Sequence, residues 1–152
     1  LYSNAGATDK AIEFYEKALE ENPHDKHAYA NLGSTLLYKK PKQAKEYLQK
    51  ALNIDPEHDI ALIELGKIDK SEGNTVAAQV KFRKAYDLYL KQWKTNSLPK
   101  YAYGWFATVA EELEENNFAK EIRASAPKTE SEAYYNKENL SMTKTKALTN
   151  NN

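Results

Sequence analysis

Three histidines and one acidic run are the residues of this 152-residue chain whose types and spacing could do chemistry. His24 and His27 lie three apart near a predicted helix start, and His58 lies about one structural unit further on. A zinc-type site needs three or four converging nitrogen, oxygen or sulfur ligands. No such set is visible, so all three read as surface histidines and no metal is expected. Glu111, Glu112, Glu114 and Glu115 end a predicted helix. A run of like charges is by default a solvated face, where nothing would perturb a carboxylate. Lys39-Lys40-Pro41-Lys42 reads as a turn, too short for a nucleic-acid patch. The chain has no cysteine, and no glycine-rich phosphate loop, nucleophile elbow or HExxH motif. Neither an enzyme nor a cofactor is expected.

The bulk of the sequence narrows the partners further. Basic and acidic residues balance at 22 each, which leaves no electrostatic footprint for nucleic acid or anionic lipid. No apolar run approaches the ~18 residues of a membrane span, and no signal or lipidation motif opens the chain. The lack of cysteine suits a cytoplasmic location, which is the expectation, and leaves a periplasmic or extracellular one open.

The elements that must position any site are announced by a repeat. Gly33 and Gly66 are 33 residues apart, as are Ala18 and Ala51, and Pro23 and Pro56. Ala11 to Pro23 aligns without a gap on Ala44 to Pro56, and Ala78 to Leu90 forms a looser third copy. Periods of this length signal stacked supersecondary units rather than one closed core.

Each unit reads as two helices. Tyr29, Leu32, Gly33, Leu36 and Leu37 share one face of a helix over 26–38. Lys39-Lys40-Pro41 breaks it, and a second amphipathic helix covers 43–54, stopped by Asp55-Pro56. Asp59 is the expected cap of the next helix, whose apolar face is Leu62, Leu65, Gly66 and Ile68. Gly73 is expected to turn left-handed, and Thr75 opens a long helix to about Trp93. A degenerate pair follows, with Tyr103, Phe106, Ala107 and Ala110, a turn at Glu115-Asn116-Asn117, then Ala119 and Ala126. Ser131 to Leu140 is predicted as a capping helix, with Tyr134 and Tyr135 on it, and 149–152 as a disordered tail.

These spacings resemble the tetratricopeptide repeat. The second unit supplies Tyr29, Leu32, Gly33, Leu36, Ala44, Leu48, Ala51 and Pro56 at the motif positions, and the third Leu62, Leu65, Gly66, Ala78, Phe82 and Ala85. Departures are Asp69, Leu90 and, in the fourth unit, Arg123 in place of a large apolar residue. Tyr2 already falls at motif position 11, so the array is read as beginning partway through a unit. The resemblance implies an all-α fold, an α-α superhelix (solenoid) of antiparallel helix pairs. Its expected divisions are a half repeat 1–25, repeats 26–58 and 59–92, an insert 93–99, a degenerate repeat 100–127 and a capping helix within 128–148.

The resemblance also implies a function. In this family the first helix of each pair lines a concave groove that holds peptides or partner helices. Carried across position by position, the candidate peptide-binding residues are His27, Asn31, Ser34, Tyr38, Ile60, Ile63, Glu64, Lys67, Tyr101 and Trp105. The Lys and Arg that clamp a chaperone's C-terminal carboxylate are absent; Ile60 and Glu64 stand in their places and only Asn31 matches, so that partner is not expected. The functional expectation is a non-catalytic scaffold binding a protein or peptide. The alternative is a structural self-assembly or regulatory module of a larger protein or complex, including a homo-oligomer.

Overall fold

A computed structural model describes residues 2–128, with side chains from residue 6. The predicted capping helix, its tyrosines and the tail lie outside the described residues, as does the side chain of Tyr2. Among the described residues there are seven helices and no strand: α1 (Tyr2–Glu21), α2 (Lys26–Leu36), α3 (Pro41–Ile54), α4 (Asp59–Ser71), α5 (Thr75–Lys94), α6 (Ala102–Glu112) and α7 (Asn116–Ala124). Consecutive helices pack in sequence order, α1 on α2, α2 on α3, α3 on α4, and α6 on α7. The fold class is an all-α helical repeat. The chain forms two compact units, Leu1–Lys81 and Phe82–Asn152, and α5 begins in one and ends in the other.

Local chemistry sets the helix ends. Asp25 caps α2, its carboxylate accepting from the His27 and Ala28 amides at 2.9 and 3.0 Å. Pro41 does more than break α2. It is the first residue of α3, where its missing N–H is no loss. The cap of α4 is His58, not Asp59 as expected; Asp59 is the first helical residue, where its charge complements the helix dipole. The turn after α6 ends two residues earlier than expected, since Asn116 and Asn117 already belong to α7.

The core of the first unit is built from small residues meeting leucines. Ala30, Leu48, Ala51, Ala61 and Leu65 form one buried cluster, and Leu32, Leu36 and Ala44 another, lined by Ile12, Tyr15 and Leu19 of α1. Gly33 makes the close α2–α3 approach: a Cβ there would lie 2.6 Å from Leu48 Cγ and 3.1 Å from the Ala44 carbonyl oxygen. No side chain fits that space without movement.

The second unit is aromatic. The Phe106 ring meets Tyr86, Tyr89 and Phe118 with centroids 5.5, 5.8 and 5.7 Å away, and Trp93 stands edge-on to Phe118 at 5.3 Å. The Tyr86 hydroxyl donates to Glu115 Oε2 at 2.6 Å. Burial first, then that bond, raises the Tyr86 phenol well above its ordinary value. Arg123, the residue out of pattern, pairs in two-pronged fashion with Glu111. The acidic run is therefore not simply solvated, because Glu111 and Glu115 both hold partners. The Arg123 hydrogen bond holds the Glu111 carboxyl below the usual range.

Candidate protein-interaction site

The helices that carry seven of the ten candidate residues are α2 and α4, both in the first unit and touching each other; Tyr38 follows in the turn after α2. Their starts are locked together. His58 is buried, and its Nε2 lies 3.1 Å from His27 Nδ1. The Ala61 amide donates to His58 Nδ1 at 3.4 Å. That fixes the proton on His58 Nε2, which donates to His27 Nδ1. Burial pulls the His58 pKa below its ordinary value, against the opposing pull of Asp59. Beside this pair Lys26 donates to Asp55 at 2.6 Å, which lowers the Asp55 pKa. The reading of His58 as a surface residue is therefore corrected, while His27 is exposed as expected and meets it through its ring. The signal was available: both stand at the start of a first helix in successive units. His24 is exposed, as expected.

The candidate residues fall into three environments. His27 and Tyr38 are exposed, Tyr38 almost wholly at 93%. Asn31, Ser34, Ile60 and Lys67 are half-buried. Ile63 and Glu64 are buried, at 0% and 5% exposed, where the sequence reading placed them on the open groove. The reason is that α4 is covered around its whole circumference from Ala61 to Gly66, a helix enclosed on all sides rather than amphipathic. Tyr101, 64% exposed, caps α6 of the second unit, and Trp105, half-buried, lies on it.

Two polar atoms on the α2/α4 pair are buried without a hydrogen bond, Ser34 Oγ and Glu64 Oε2. Lys67 Nζ lies 3.3 Å from Glu64 Oε2, close enough to offset its charge without forming a hydrogen bond. Such orphans cost roughly 1–3 kcal/mol each, so a native chain keeps few of them.

Toward the other end of the pair a cleft of about 440 Å³ opens. Leu37 and Tyr38 at the end of α2, Pro41 of α3 and Ile68 of α4 supply apolar walls; Lys42, Lys45, Lys67, Ser71 and Glu72 complete it. It brings together two predicted residues, Tyr38 and Lys67, with Lys42, which the sequence reading took as part of a turn, and Lys45, which it did not single out. Among the described residues no cluster of His, Cys, Asp and Glu could hold a metal ion, and no helix is long and apolar enough to cross a membrane.

Paired helices in sequence order, a small-residue slot between them and a partly apolar face with unsatisfied polar atoms define a helical-repeat protein-interaction module. The tetratricopeptide repeat model matches residues 1–25 and 27–58, and over those residues the chain carries tetratricopeptide repeats. No curated protein matches the sequence. Among 34 matching solved chains is a crystal structure of MamA, 23% identical, covering 95% of this chain and 86% of that one with a TM-score of 0.49. Tetratricopeptide-repeat proteins bind protein partners and are generally non-catalytic.

Proposed function

We propose that this protein is a non-catalytic scaffold that binds a peptide or partner helix along the α2/α4 face. His27, Asn31, Ser34, Tyr38, Ile60 and Lys67 form the surface, with Ile63 and Glu64 as its buried backing. The observation that carries the reading is the pair of buried polar atoms, Ser34 Oγ and Glu64 Oε2, with no hydrogen bond. A partner that displaces the half-buried side chains around Ser34 would supply its hydroxyl with a hydrogen-bond partner, and Ile60, half-buried one turn before Glu64 on α4, supplies apolar contact. Tyr101 and Trp105 offer a separate contact on the second unit.

The test is selection of peptides from a displayed library by the full chain, followed by calorimetry on the enriched sequences. Asn31→Arg, which places bulk and charge on the face, should abolish binding while the circular dichroism melt is kept. Glu64→Gln should weaken it. Peptides bound equally by wild type and Asn31→Arg would remove this face from consideration.

A second reading, self-assembly, is favoured by one observation. Val76 and Val80 lie one turn apart on α5 and are 80% and 64% exposed. Light scattering after size exclusion decides it: a monomer that stays a monomer at high concentration counts against it.

A further inference from the structure

We propose that the cleft at the α2–α3 turn is a second docking site, and that its occupant is an acidic peptide segment with one apolar anchor residue. The cleft, about 440 Å³, falls in the size range of built ligand sites. Its apolar walls, Leu37, Tyr38, Pro41 and Ile68, have room for one large apolar side chain.

The charge of the lining selects the ligand. Three lysines, Lys42, Lys45 and Lys67, line the cleft with one carboxylate, Glu72, and Lys67 is already paired with the buried Glu64 at 3.3 Å. Lys45 already pairs with Glu72 at 2.6 Å, which neutralises that carboxylate. Lys42 is exposed and has no ion partner among the described residues. The start of α3 adds to the same field. Its cap residue is Lys40, which makes no side-chain cap bond, so the positive end of the helix dipole is uncompensated by the chain. An anion entering the cleft meets positive charge from α3, at Lys42 and the helix start, and Tyr38, 93% exposed, stands where it can cover an anchor residue.

The chemistry favours peptide over nucleic acid. The chain carries no net charge, and the basic lining is three lysines around one apolar hollow rather than a basic groove with successive stacking rings. The cleft shares Tyr38 and Lys67 with the α2/α4 face, but Lys42 and Lys45 lie outside that face, and Asn31 and Ser34 lie outside the cleft.

The experiment is fluorescence anisotropy on the full chain with a labelled synthetic peptide of Asp and Glu flanking one Phe. Parallel arms use the same peptide with Lys for each acid, and a labelled oligothymidylate. The acidic peptide should bind and the lysine peptide should not, with affinity falling as salt rises. Lys42→Glu should weaken binding about tenfold, the scale of one lost charge-assisted contact, and Tyr38→Ala should weaken it further. Asn31→Arg should leave it unchanged, which separates failure here from failure of the α2/α4 face. No binding of the acidic peptide, equal binding by Lys42→Glu, or tighter binding of the oligothymidylate with the same Lys42 dependence would each overturn the proposal. Both substituted residues are exposed, and an unchanged melting curve establishes that the fold is intact.

Discussion

The α4–α5 turn of the first unit and the α6–α7 turn of the second make the same hydrogen bonds 41 positions apart. Gly73 N–H donates to the Lys70 carbonyl and Asn74 N–H to that of Asp69; Glu114 N–H donates to Glu111 and Glu115 N–H to Ala110. The central residue is left-handed in both, with φ of 83° at Gly73 and 65° at Glu114. One turn uses glycine and the other forces a glutamate into the same backbone. The cores differ in the same spirit, alanines and leucines in the first unit against stacked aromatic rings in the second. The helix-pair geometry persists while the residues that favour it are exchanged. The first unit is therefore cheap to fold locally, and the second relies on ring packing to offset a strained turn.

The largest test of that contrast removes a central side chain from each core. Phe106→Ala should destabilise the second unit by about 3–5 kcal/mol and Leu48→Ala the first by about 2–5 kcal/mol. Hydrogen exchange read peptide by peptide should show amides of α6 and α7 opening in the former, and those of α2 and α3 in the latter. Uniform loosening of the whole chain by either change would break the comparison.

Next in size is the small-residue slot. Gly33→Ala drives a Cβ to 2.6 Å from Leu48 Cγ, and overpacking of this kind costs about 1–3 kcal/mol. Leu48→Ala in the same chain should make room, so the double variant should lose less than the sum. The matching place in the second unit holds Ala107, fully buried, where a methyl group is already accommodated. Simple additivity at Gly33 and Leu48, measured by urea unfolding, would show that the slot is not what demands glycine.

This is where the sequence was most and least legible. The spacing of Gly33, Ala44 and Ala51 announced the helix pairs, because close packing leaves only small residues at those places. Gly73 announced its turn because few other residues tolerate positive φ. Glu114 in the same conformation carried no such mark, and the turn was placed two residues late. Arg123 looked like a defect, and its pairing with Glu111 was invisible because ion pairs across a turn follow no strong spacing rule. His58 looked like surface, since a cap position and its burial depend on the helix beside it. Ile63 and Glu64 matched groove positions, but their burial is set by how completely α4 is enclosed, which no pattern along one helix records.

The histidine pair gives a test confined to acid. His58 has a folded pKa below its ordinary 6.5 because it is buried. Between those two values the unfolded chain binds more protons, so stability rises with pH across that window. Stability is lost as pH falls through about 6.5 and the loss stops below the folded value. A proton on His58 Nδ1 would also meet the Ala61 amide it now accepts from, and Asp59, Asp55, Lys26 and His27 set the surrounding charge. All three histidines precede residue 82, so acid-induced exchange should rise in α2 and α4 and spare α6 and α7. His58→Asn keeps a capping acceptor that does not titrate and should flatten the pH slope. An unchanged slope would place the acid sensitivity elsewhere.

The smallest effect is the sharpest probe of the opening contrast. A left-handed L-residue costs roughly 1–2 kcal/mol, and glycine gives back about 0.5–1 kcal/mol through its freer unfolded chain. Glu114→Gly should therefore stabilise the protein by about 0.5–1 kcal/mol, and Gly73→Ala should destabilise it by a similar amount. The second change isolates the backbone, since a Cβ at Gly73 meets nothing within 4 Å. Equal and opposite shifts in the urea midpoint would mean that both turns are one device, strained in one copy and relaxed in the other. If Gly73→Ala destabilises and Glu114→Gly gains nothing, the Glu114 side chain supplies a compensating interaction, and the second turn is adapted rather than strained.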